Sequence, residues 1–524
     1  MPPVRVSVKW SGKKFDNVEL DTSQPGVVFK TQLFSLTGVE PDRQKIMVKG
    51  GMLKDDTDLC KLDIKEGHTF MMMGTAGEQA IKAPEKPIQF VEDMTDAQIA
   101  QALKLPTGLV NLGNTCYMNA TLQCLRVIPE LQTALTRMTG SITPDFRASL
   151  PLSLQTLYKE LDASGEAIPP LVFLQLLRGA FPQFGEQTVR GFSQQDAEEC
   201  WGQIVSALKE SVPGFKDDGN VDSNKHFVDQ YMNGDFMSTL KCDDAPQEEP
   251  TTSQETFTRL QVNIGSGVST YLSSDIATGL IQKIEKTSPT LNIMAKYTKT
   301  SKISRLPAYL TINFVRFQWK PATEPGASGT RAKILKKVKF PLELDMSQFV
   351  TPELFAKLGP ARERLKEMDD YKAAARKLKT KKVSDAQAAV AAGASSMDVD
   401  EATAASLSPS IKSQKELYKE LQIDPSLANA VGANVSGWYD LVAVLTHVGR
   451  TADSGHYIAW TRREESESKE GDGESGWWKF DDDKVSPVGA DEIAKLEGGG
   501  DWHTAYICLY RSKQLGDKPP PIPQ

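Results

Sequence analysis

The sequence predicts an α+β fold, organised as a small N-terminal unit followed by a much larger one. Residues 4–10, VRVSVKW, alternate apolar and polar side chains with the period of two that is typical of a half-buried strand. Residues 197–208 instead repeat apolar side chains at the spacing of one helix face. The chain has 524 residues, 40% of them hydrophobic, which is enough for one small and one large domain with a sizeable core.

Residues 1–75 predict a small domain with the order β-β-α-β and a late strand. The helix-like stretch VVFKTQLFSLTGV precedes a strand, IMV, that ends in a Gly-Gly turn, and HTFMMMG forms the last strand. This order resembles the β-grasp fold of ubiquitin-like domains, and QKIMVKGGMLKDD resembles the middle of ubiquitin itself. Met47, Met71 and Met73 either form an adaptable exposed patch for a partner or fill the small core, and the sequence leaves both readings open.

The large unit is expected over residues 105–511. A linker at 76–104, rich in Gly, Ala, Pro and charged residues, precedes it, and a Pro-rich tail at 512–524 follows it. Within the unit, the polar stretch REESESKEGDGESG at 463–476 predicts a hairpin loop between two strands.

A low-complexity insertion interrupts the large unit at about 360–415. Its first part, residues 361–382, has the composition of an exposed charged helix. The following Ala/Ser-rich stretch cannot bury enough apolar surface to offset the entropy of ordering it. We therefore expect disorder from about 384 to 410.

Composition and charge exclude several classes of protein. The 61 Lys+Arg and 68 Asp+Glu give a net charge of −7, which argues against a dedicated nucleic-acid binder. The sequence has neither a signal peptide nor an apolar run of about 18 residues, so we expect no membrane association. Six cysteines without a C-x-x-C pair favour a reducing compartment, with the cytoplasm as the expected location and the nucleus as a second one.

Cys116 has the surroundings of a nucleophile. The loop GLVNLGN precedes it and a helical pattern, YMNATLQCLRVI, follows it, so the thiol is expected at a helix N-terminus. The macrodipole there favours a thiolate, and Asn111 is a plausible donor to an oxyanion. The alternative is that Cys116 is a small buried hydrophobe, the usual fate of a free cysteine. Cys124 lacks such a loop and is expected in the core.

A thiol hydrolase also needs a base and a group that orients it. Three histidines are candidates for the base, namely His447, His456 and His503, and each can equally be a structural side chain. The run WWKFDDDKV begins its carboxylates at Asp481. If KF and HYIAW are neighbouring strands, Asp481 lies close to His456.

Several long motifs in series resemble those of the ubiquitin-specific proteases, a family of papain-like deubiquitinases. GLVNLGNTCYMNATLQCL resembles the family's cysteine box, and DSGHYIAW with WWKFDDDKV and AYICLY resembles its histidine box. GFSQQDAEECWGQIVSAL and SRLPAYLTINFVRF resemble the blocks between them. The resemblance covers residues 105–511, and the N-terminal ubiquitin-like domain resembles that of the proteasome-associated subtype.

The resemblance implies a papain-like catalytic domain with palm, thumb and fingers. It assigns Cys116 as nucleophile, His456 as general base, Asp481 as the residue that orients the imidazole, and Asn111 as the oxyanion donor. No cofactor is implied. Many relatives hold zinc on two C-x-x-C pairs in the fingers, but this region offers only Cys242 and His226, so we expect no metal there.

The motif GFSQQDAEEC carries two further assignments. Ser193 and Asp196 form an S-x-x-D helix-start signal, and Asp196 can simply cap the helix. Apolar side chains then follow on one face of this helix, at Ala197, Cys200, Trp201, Ile204, Val205 and Leu208. The resemblance implies that Asp196 also receives an arginine of the ubiquitin tail and that Gln195 lines the same channel.

The resemblance also implies partners and regulation. The expected partners are ubiquitin, ubiquitin conjugates and, through residues 1–75, the proteasome regulatory particle. Residues 317–333 and 447–456 are expected to be loops that cover the cleft until the enzyme docks. Two other functions stay open: a non-catalytic regulator that binds ubiquitin, and a hydrolase specific for another ubiquitin-like modifier.

Overall fold

The structure is a computed structural model of the chain. It describes residues 3–49, 51–75, 105–189, 191–216, 218–264, 271–320, 330–391, 414–451, 454–463, 476–500 and 502–516. The chain divides into two compact units, Met1–Met94 and Thr95–Gln524. The predicted linker, most of the 463–476 loop and the tail beyond 516 lie outside the described residues.

The N-terminal unit is a five-stranded sheet packed against one helix, as the sequence predicts. Its elements are β1 (Val4–Trp10), β2 (Lys13–Leu20), α1 (Gly26–Thr37), β3 (Lys45–Val48), β4 (Gly51–Met52) and β5 (Thr69–Met73). The strand order is β2-β1-β5-β3-β4, with β1 and β5 parallel at the centre. This is the β-grasp arrangement, in which the helix crosses from one edge of the sheet to the other.

The two faces of this sheet differ sharply. Val6, Val8, Ile46 and Phe70, among others, form a core that is almost fully buried against the helix. On the opposite face, four methionines are each more than half exposed: Met47, Met52, Met71 and Met73. The alternative in which Met47, Met71 and Met73 fill the core is therefore wrong, because the strand period of two turns them outward.

The second unit begins with a group of helices and short hairpins. They are α2 (Cys116–Arg126), α3 (Pro129–Thr136), α4 (Phe146–Ala163), α5 (Leu171–Ala180), β6 (Gln187–Thr188), β7 (Gly191–Phe192), α6 (Ala197–Ser211), β8 (Pro213–Phe215), β9 (Val221–His226) and α7 (Phe227–Tyr231). The predicted apolar face of α6 is confirmed, since all six of its members are buried. Cys124 is buried in α2, as predicted, and burial raises the pKa of its thiol.

A separate four-stranded sheet follows. Its strands are β10 (Gly234–Cys242), β11 (Thr251–Phe257), β13 (Ile281–Thr287) and β14 (Met294–Arg305), in the order β11-β10-β14-β13. Cys242 is buried at the end of β10 beside Tyr297 and Ala295, whereas His226 ends a different hairpin. The two residues that the finger region offered as metal ligands thus belong to different sheets.

The large sheet has ten strands. Its path β12-β15-β23-β19-β20-β21-β22 is completed by β16, β17 and β18 at the side of β19. The remaining elements are β12 (Arg259–Asn263), α8 (Leu272–Gly279), β15 (Tyr309–Val315), β16 (Phe317–Lys320), β17 (Thr330–Lys333), β18 (Glu343–Asp345), α9 (Pro352–Ala391), α10 (Gln414–Glu420), α11 (Pro425–Ala428), β19 (Trp438–Thr451), β20 (Ser454–Arg462), β21 (Trp477–Asp481), β22 (Lys484–Val488), α12 (Ala490–Ala494) and β23 (Thr504–Ser512).

Both faces of this sheet are buried. Val442 and Leu445 of β19 pack into the core formed with the helices, while Leu441 and Val444 pack into a second core on the opposite face. A strand buried on both faces has no polar side to alternate with, which explains the continuous apolar run LVAVL. Among the described residues, no helix is both long and apolar enough to cross a membrane.

The prediction for the insertion is partly wrong. Helix α9 continues to Ala391, so the start of the stretch expected to be disordered is helical, and residues 392–413 lie outside the described part. The helix is also not simply exposed, because Ala361 and Leu365 are buried in the second core. Arg364, 6% exposed, is accommodated there by ion pairs with Glu367 at 3.5 Å and Glu420 at 3.4 Å.

Candidate active site

Cys116 is the first residue of helix α2 and is 3% exposed. The loop before it turns through two left-handed residues, Gly113 and Asn114. The side-chain oxygen of Asn111 holds this loop by accepting the backbone N–H groups of Gly113, at 2.9 Å, and Thr115, at 3.2 Å. The helix dipole therefore acts directly on the thiol, as the sequence indicates.

His456 lies near the start of β20, where the backbone of Gly455 determines its position. Gly455 has φ +125°, and a Cβ at this position would lie 2.0 Å from the carbonyl oxygen of Val448 and 2.7 Å from Nε2 of His447. Any other residue would clash with both, so glycine is required. This turn carries His456 to the end of the sheet that faces helix α2.

His456 is linked to both a carboxylate and the thiol. Its Nε2 is 2.7 Å from Oδ1 of Asp481, whose other oxygen is 3.4 Å from Nζ of Lys479. Hydrogen bonds with Asp481 and then with Cys116 raise the pKa of His456 to about 10. The hydrogen bond from His456 lowers the pKa of Asp481 to about 2, so the carboxylate stays ionised at all ordinary pH values.

The pKa values of the other two candidate histidines are shifted in the opposite direction, downward. His447 is fully buried between Phe317 and Tyr457, and burial, followed by the charge of Lys333, lowers its pKa to about 3. Burial also lowers the pKa of His503 to about 4. Burial thus disfavours the protonated form of both imidazoles, whereas the hydrogen bond with Asp481 favours the protonated form of His456. The role of His456 as general base stays a prediction.

Asp482 belongs to the same cluster, although the sequence argument used Asp481 alone. Its side chain is 9% exposed, and its oxygens accept the side-chain amides of Asn111 and Asn119, each at 2.8 Å. Its Oδ2 lies 4.0 Å from Nε2 of His456. Asp482 therefore connects the loop before the thiol to the strand that carries Asp481. The sequence signal was the run of three aspartates, whose members cannot be distinguished without the turn between β21 and β22.

Asn111 has a different set of contacts from those expected of a free oxyanion donor. Its amide nitrogen donates to Asp482 and its oxygen shapes the loop before Cys116. One N–H of that amide remains for a substrate oxygen after the bond to Asp482, since an amide carries two N–H donors. Its predicted role as oxyanion donor remains a prediction.

Asp196 caps helix α6, and the S-x-x-D reading of the start signal is corrected. The helix begins at Ala197, so Asp196 and not Ser193 is the N-cap, accepting the backbone N–H of Glu198 at 2.9 Å. The hydroxyl of Tyr506 donates to the same carboxylate at 2.8 Å. The carboxylate is buried, and Gln195 beside it is half-buried. Their roles in binding a substrate tail stay predictions.

Gln194 contacts the thiol and was not singled out by the sequence. Its Nε2 lies 3.8 Å from Sγ of Cys116 and donates to the carbonyl oxygen of Gly455 at 2.9 Å. The neighbouring glutamines of the motif are chemically identical, so no local signal separates Gln194 from Gln195. Only the fold shows which of the two points at the thiol.

One group of potential metal ligands occurs among the described residues. Ligand atoms of His456, Asp481 and Asp482 lie within 4.8 Å of one another. Their convergence is explained by the hydrogen bonds among them and with Asn111 and Asn119, in the arrangement of a thiol-protease relay.

The two segments expected to be loops over the cleft are β hairpins. Residues 317–333 form β16 and β17, and residues 447–456 continue the β19–β20 hairpin, which stays paired up to Thr451 and Ser454. The loop prediction is therefore wrong for the stems. The sequence between the paired strands is rich in residues typical of turns, which favours the prediction of a loop over that of a hairpin. The tips, 321–329 and 452–453, lie outside the described residues. Nζ of Lys333 donates to the carbonyl oxygen of His447 at 2.6 Å and joins the two hairpins.

The helix-borne thiol and the sheet-borne imidazole and carboxylate define a cysteine-type hydrolase of papain-like architecture. Comparison with known proteins agrees. The family described as Ubiquitin carboxyl-terminal hydrolase matches residues 107–510, and the ubiquitin family matches residues 4–77. The chain belongs to the ubiquitin carboxyl-terminal hydrolase family.

Several relatives are similar along nearly their whole length. The chain is 41% identical to ubiquitin carboxyl-terminal hydrolase 6 of Schizosaccharomyces pombe, over 98% of this chain and 99% of the relative. It is 39% identical to ubiquitin carboxyl-terminal hydrolase 7 of Arabidopsis thaliana, over 97% and 99%. It is 35% identical to ubiquitin carboxyl-terminal hydrolase 14 of Caenorhabditis elegans, over 99% and 96%. The similarity thus includes the N-terminal domain as well as the catalytic one.

Proposed function

We propose that this enzyme removes ubiquitin from conjugates by thiol-dependent hydrolysis of the bond after the C-terminal glycine of ubiquitin. The observation that carries the proposal is the position of His456, whose imidazole bonds with the thiol of Cys116 and is 2.7 Å from Asp481. Family membership supplies ubiquitin as the substrate.

In the proposed mechanism, the thiolate of Cys116 attacks the carbonyl carbon of the terminal glycine and forms a C–S bond. Asn111 donates to the oxyanion that develops on the carbonyl oxygen. His456, protonated in the resting ion pair, gives its proton to the leaving amine as the C–N bond breaks. His456, now neutral, takes a proton from water as the water oxygen adds to the thioester carbonyl. The C–S bond then breaks and releases the carboxyl end of ubiquitin, which restores the pair of thiolate and protonated His456, while Asp481 keeps the imidazole oriented.

The ubiquitin tail is proposed to reach the thiol along the loop before helix α6. Asp196 would receive an arginine of the tail, and Gln195 would line the same channel. The buried position of Asp196 supports this role, because an ion pair is stronger where water is excluded. A tail that ends in Gly-Gly suits a narrow cleft, since only glycine allows the backbone to approach so closely.

Residues 1–75 are proposed to dock on the proteasome regulatory particle, in a cytoplasmic enzyme that is also present in the nucleus. The exposed face with Met47, Met52, Met71 and Met73 supports docking, since flexible, polarisable side chains suit a protein interface. The β16–β17 and β19–β20 hairpins are proposed to restrain the cleft until docking. A gated enzyme should cleave a ubiquitin–fluorophore substrate faster with proteasome than without it, and equal rates would contradict gating.

The chemistry is tested by hydrolysis of the ubiquitin–fluorophore substrate. Cys116→Ala should abolish hydrolysis and retain ubiquitin binding, because the fold keeps the tail channel. Cys60→Ala is the matched control, since Cys60 is an exposed cysteine of the N-terminal domain. Hydrolysis retained by Cys116→Ala, or lost in Cys60→Ala, would contradict the assignment. A preference for another ubiquitin-like modifier in the same assay would refute the proposed substrate.

A further inference from the structure

The side chain of Gln194 spans the cleft at the catalytic thiol. It starts from the loop before helix α6, and its Nε2 donates to the carbonyl oxygen of Gly455 on the opposite wall, at 2.9 Å. The same nitrogen also donates to Sγ of Cys116, at 3.8 Å. A single amide group therefore bridges the two walls and contacts the thiol of Cys116, a residue that is 3% exposed.

Both ends of this bridge are fixed by neighbouring structure. The loop that carries Gln194 is tied to the cysteine loop by a hydrogen bond of 2.9 Å, from the side-chain amide of Asn114 to the carbonyl oxygen of Phe192. On the other wall, Gly455 has φ +125°, and a Cβ there would lie 2.0 Å from the carbonyl oxygen of Val448, so the position accepts only glycine. The bridge thus runs between two closely packed segments.

The geometry of the reaction puts a substrate group in the same place. An attacked carbonyl carbon must lie about 3–3.5 Å from Sγ of Cys116. The amide N–H of the same glycine is two bonds from that carbon and needs an acceptor in a cleft that excludes water. The carbonyl of Gly455 is such an acceptor beside the thiol, and the N–H of Gln194 already occupies it.

We propose that Gln194 controls access to Cys116. In the free enzyme its side-chain amide donates to the carbonyl oxygen of Gly455, which accepts the N–H of the terminal glycine when substrate binds. This inference rests on the proposed function for the identity of the substrate. The contact of Gln194 with the thiol of Cys116 does not depend on that identity. Substrate must break the bond from Gln194 to Gly455 before the scissile carbonyl can reach Sγ. Gln194 is thus a positioning residue whose hydrogen bond competes with the substrate.

The first test is alkylation of Cys116 in the full-length protein by iodoacetamide, followed by peptide mapping of the labelled cysteine. Removing the bridge by Gln194→Ala should speed alkylation by about threefold to tenfold, because the net free energy of one hydrogen bond corresponds to a rate change of that size. The pH dependence of the rate is recorded for each variant. Gln187→Ala, in an exposed position on the preceding hairpin, should react like the wild type.

A second variant separates the effect of losing the hydrogen bond from the effect of losing side-chain volume. Gln194→Met keeps the length of the side chain but lacks the N–H donor, so its alkylation rate should also rise above that of the wild type. A rate equal to the wild type in both Gln194 variants would overturn the proposal. So would slower alkylation with a raised thiol pKa, which would assign Gln194 to stabilising the thiolate.

Hydrolysis of the ubiquitin–fluorophore substrate by the same variants separates the two proposals. Faster alkylation of Gln194→Ala together with a higher kcat/KM supports both. If alkylation is faster but neither the wild type nor the variant hydrolyses the substrate, with or without proteasome, the proposed function fails and access control stands. If hydrolysis is normal and alkylation is unchanged, access control fails and the proposed function stands.

Discussion

The two main sheets of the molecule expose their functional groups in different places. The N-terminal sheet buries one face and presents Met47, Met52, Met71 and Met73 on the other. The large sheet is buried on both faces, and its reactive groups lie where strands begin or end: His456 near the start of β20 and Asp481 at the end of β21. These two strands are antiparallel neighbours, so those ends meet at the same edge.

The difference follows from what each sheet must do. A face of adaptable side chains can cover a large area of another protein, and its residues need no fixed geometry. Catalysis instead needs atoms held within a fraction of an ångström, which a sheet packed on both sides provides at its edge. Substitutions on the exposed face should therefore affect association and the activation that depends on it, whereas substitutions at the edge should affect the chemistry of the free enzyme.

The largest effect is expected at the edge, from Asp481→Asn. The amide cannot stabilise the protonated imidazole, so the pKa of His456 should fall and kcat should drop by about 10²–10⁴-fold. Steady-state kinetics with the ubiquitin–fluorophore substrate measures this. Asp483→Asn is the control, because Asp483 is an exposed neighbour in the same turn. Equal losses in the two variants would contradict the role of Asp481.

The exposed face is tested by the double variant Met47→Glu with Met71→Glu. These residues are cross-strand partners, so two charges would stand together in the middle of the face. Binding to the proteasome should weaken by about 100-fold, from the loss of about 3 kcal/mol of apolar burial and added desolvation, while hydrolysis by the free enzyme is unchanged. Phe355→Glu, at an exposed position of helix α9, should bind normally. Unchanged co-purification of the double variant would refute this docking face.

A smaller effect at the edge is expected from Asp482→Asn. The variant keeps one acceptor oxygen, so it loses the hydrogen bond from Asn111 or from Asn119 but not both. We expect kcat to fall by about tenfold, with KM little changed, because the loop before Cys116 loses one support. A loss larger than that of Asp481→Asn would exchange the roles of the two aspartates.

A last effect concerns the stability of the large unit and its dependence on pH. His447 and His503 have folded-state pKa values of about 3 and about 4, below that of an exposed histidine. Between pH 6.5 and 4 the unfolded chain binds protons that the folded chain does not, so stability falls as the pH falls. The raised pKa of His456 adds nothing to this loss, because its contribution is fully present below pH 6.5 and fades only toward pH 10.

This pH effect is measured by denaturant unfolding at pH 7 and pH 5. His503 alone should cost about 2 kcal/mol of unfolding free energy over that interval, so His503→Gln should lose less stability on acidification than the wild type by that amount. Tryptophan fluorescence reports on the large unit, since every tryptophan except Trp10 belongs to it. Identical slopes in the two proteins would show that His503 titrates normally.

Much of the fold follows from patterns in the sequence. The alternation in VRVSVKW and the apolar face of helix α6 are found as predicted, because each has a short-range period. The strands that contain KF and HYIAW are also found as neighbours, although HYIAW is buried without alternation. The strand pairing of the stems at 317–333 and 447–456 differs from the prediction, and so does the burial of Ala361 in the stretch 361–382, whose composition predicts an exposed helix. The causes differ, since stem partners such as Val448 and His456 are close in sequence and turn-type residues between them favour a loop, whereas the burial of Ala361 depends on residues distant in sequence.

Cys116 and His456 could be predicted as candidates because each stands in a distinctive loop, the first before a helix and the second before a strand. Asp481 was chosen from a run of three aspartates on the assumption that β20 and β21 are neighbours, and that pairing is confirmed. Asp482 and Gln194 were not identified, since each stands beside a chemically similar neighbour and only the turn geometry tells them apart. The exposed face of methionines could not be decided either, because methionine is equally suited to a core and to an interface.

The central claim, that Cys116 is the nucleophile toward the carboxyl end of ubiquitin, is tested most directly with a ubiquitin bearing a C-terminal electrophile. The full-length enzyme is incubated with this probe, with and without proteasome, and the modified peptide is identified by mass spectrometry. We expect a single adduct on Cys116 that is lost in Cys116→Ala and reduced in Asp481→Asn. An adduct on any other cysteine, or none under either condition, would contradict it.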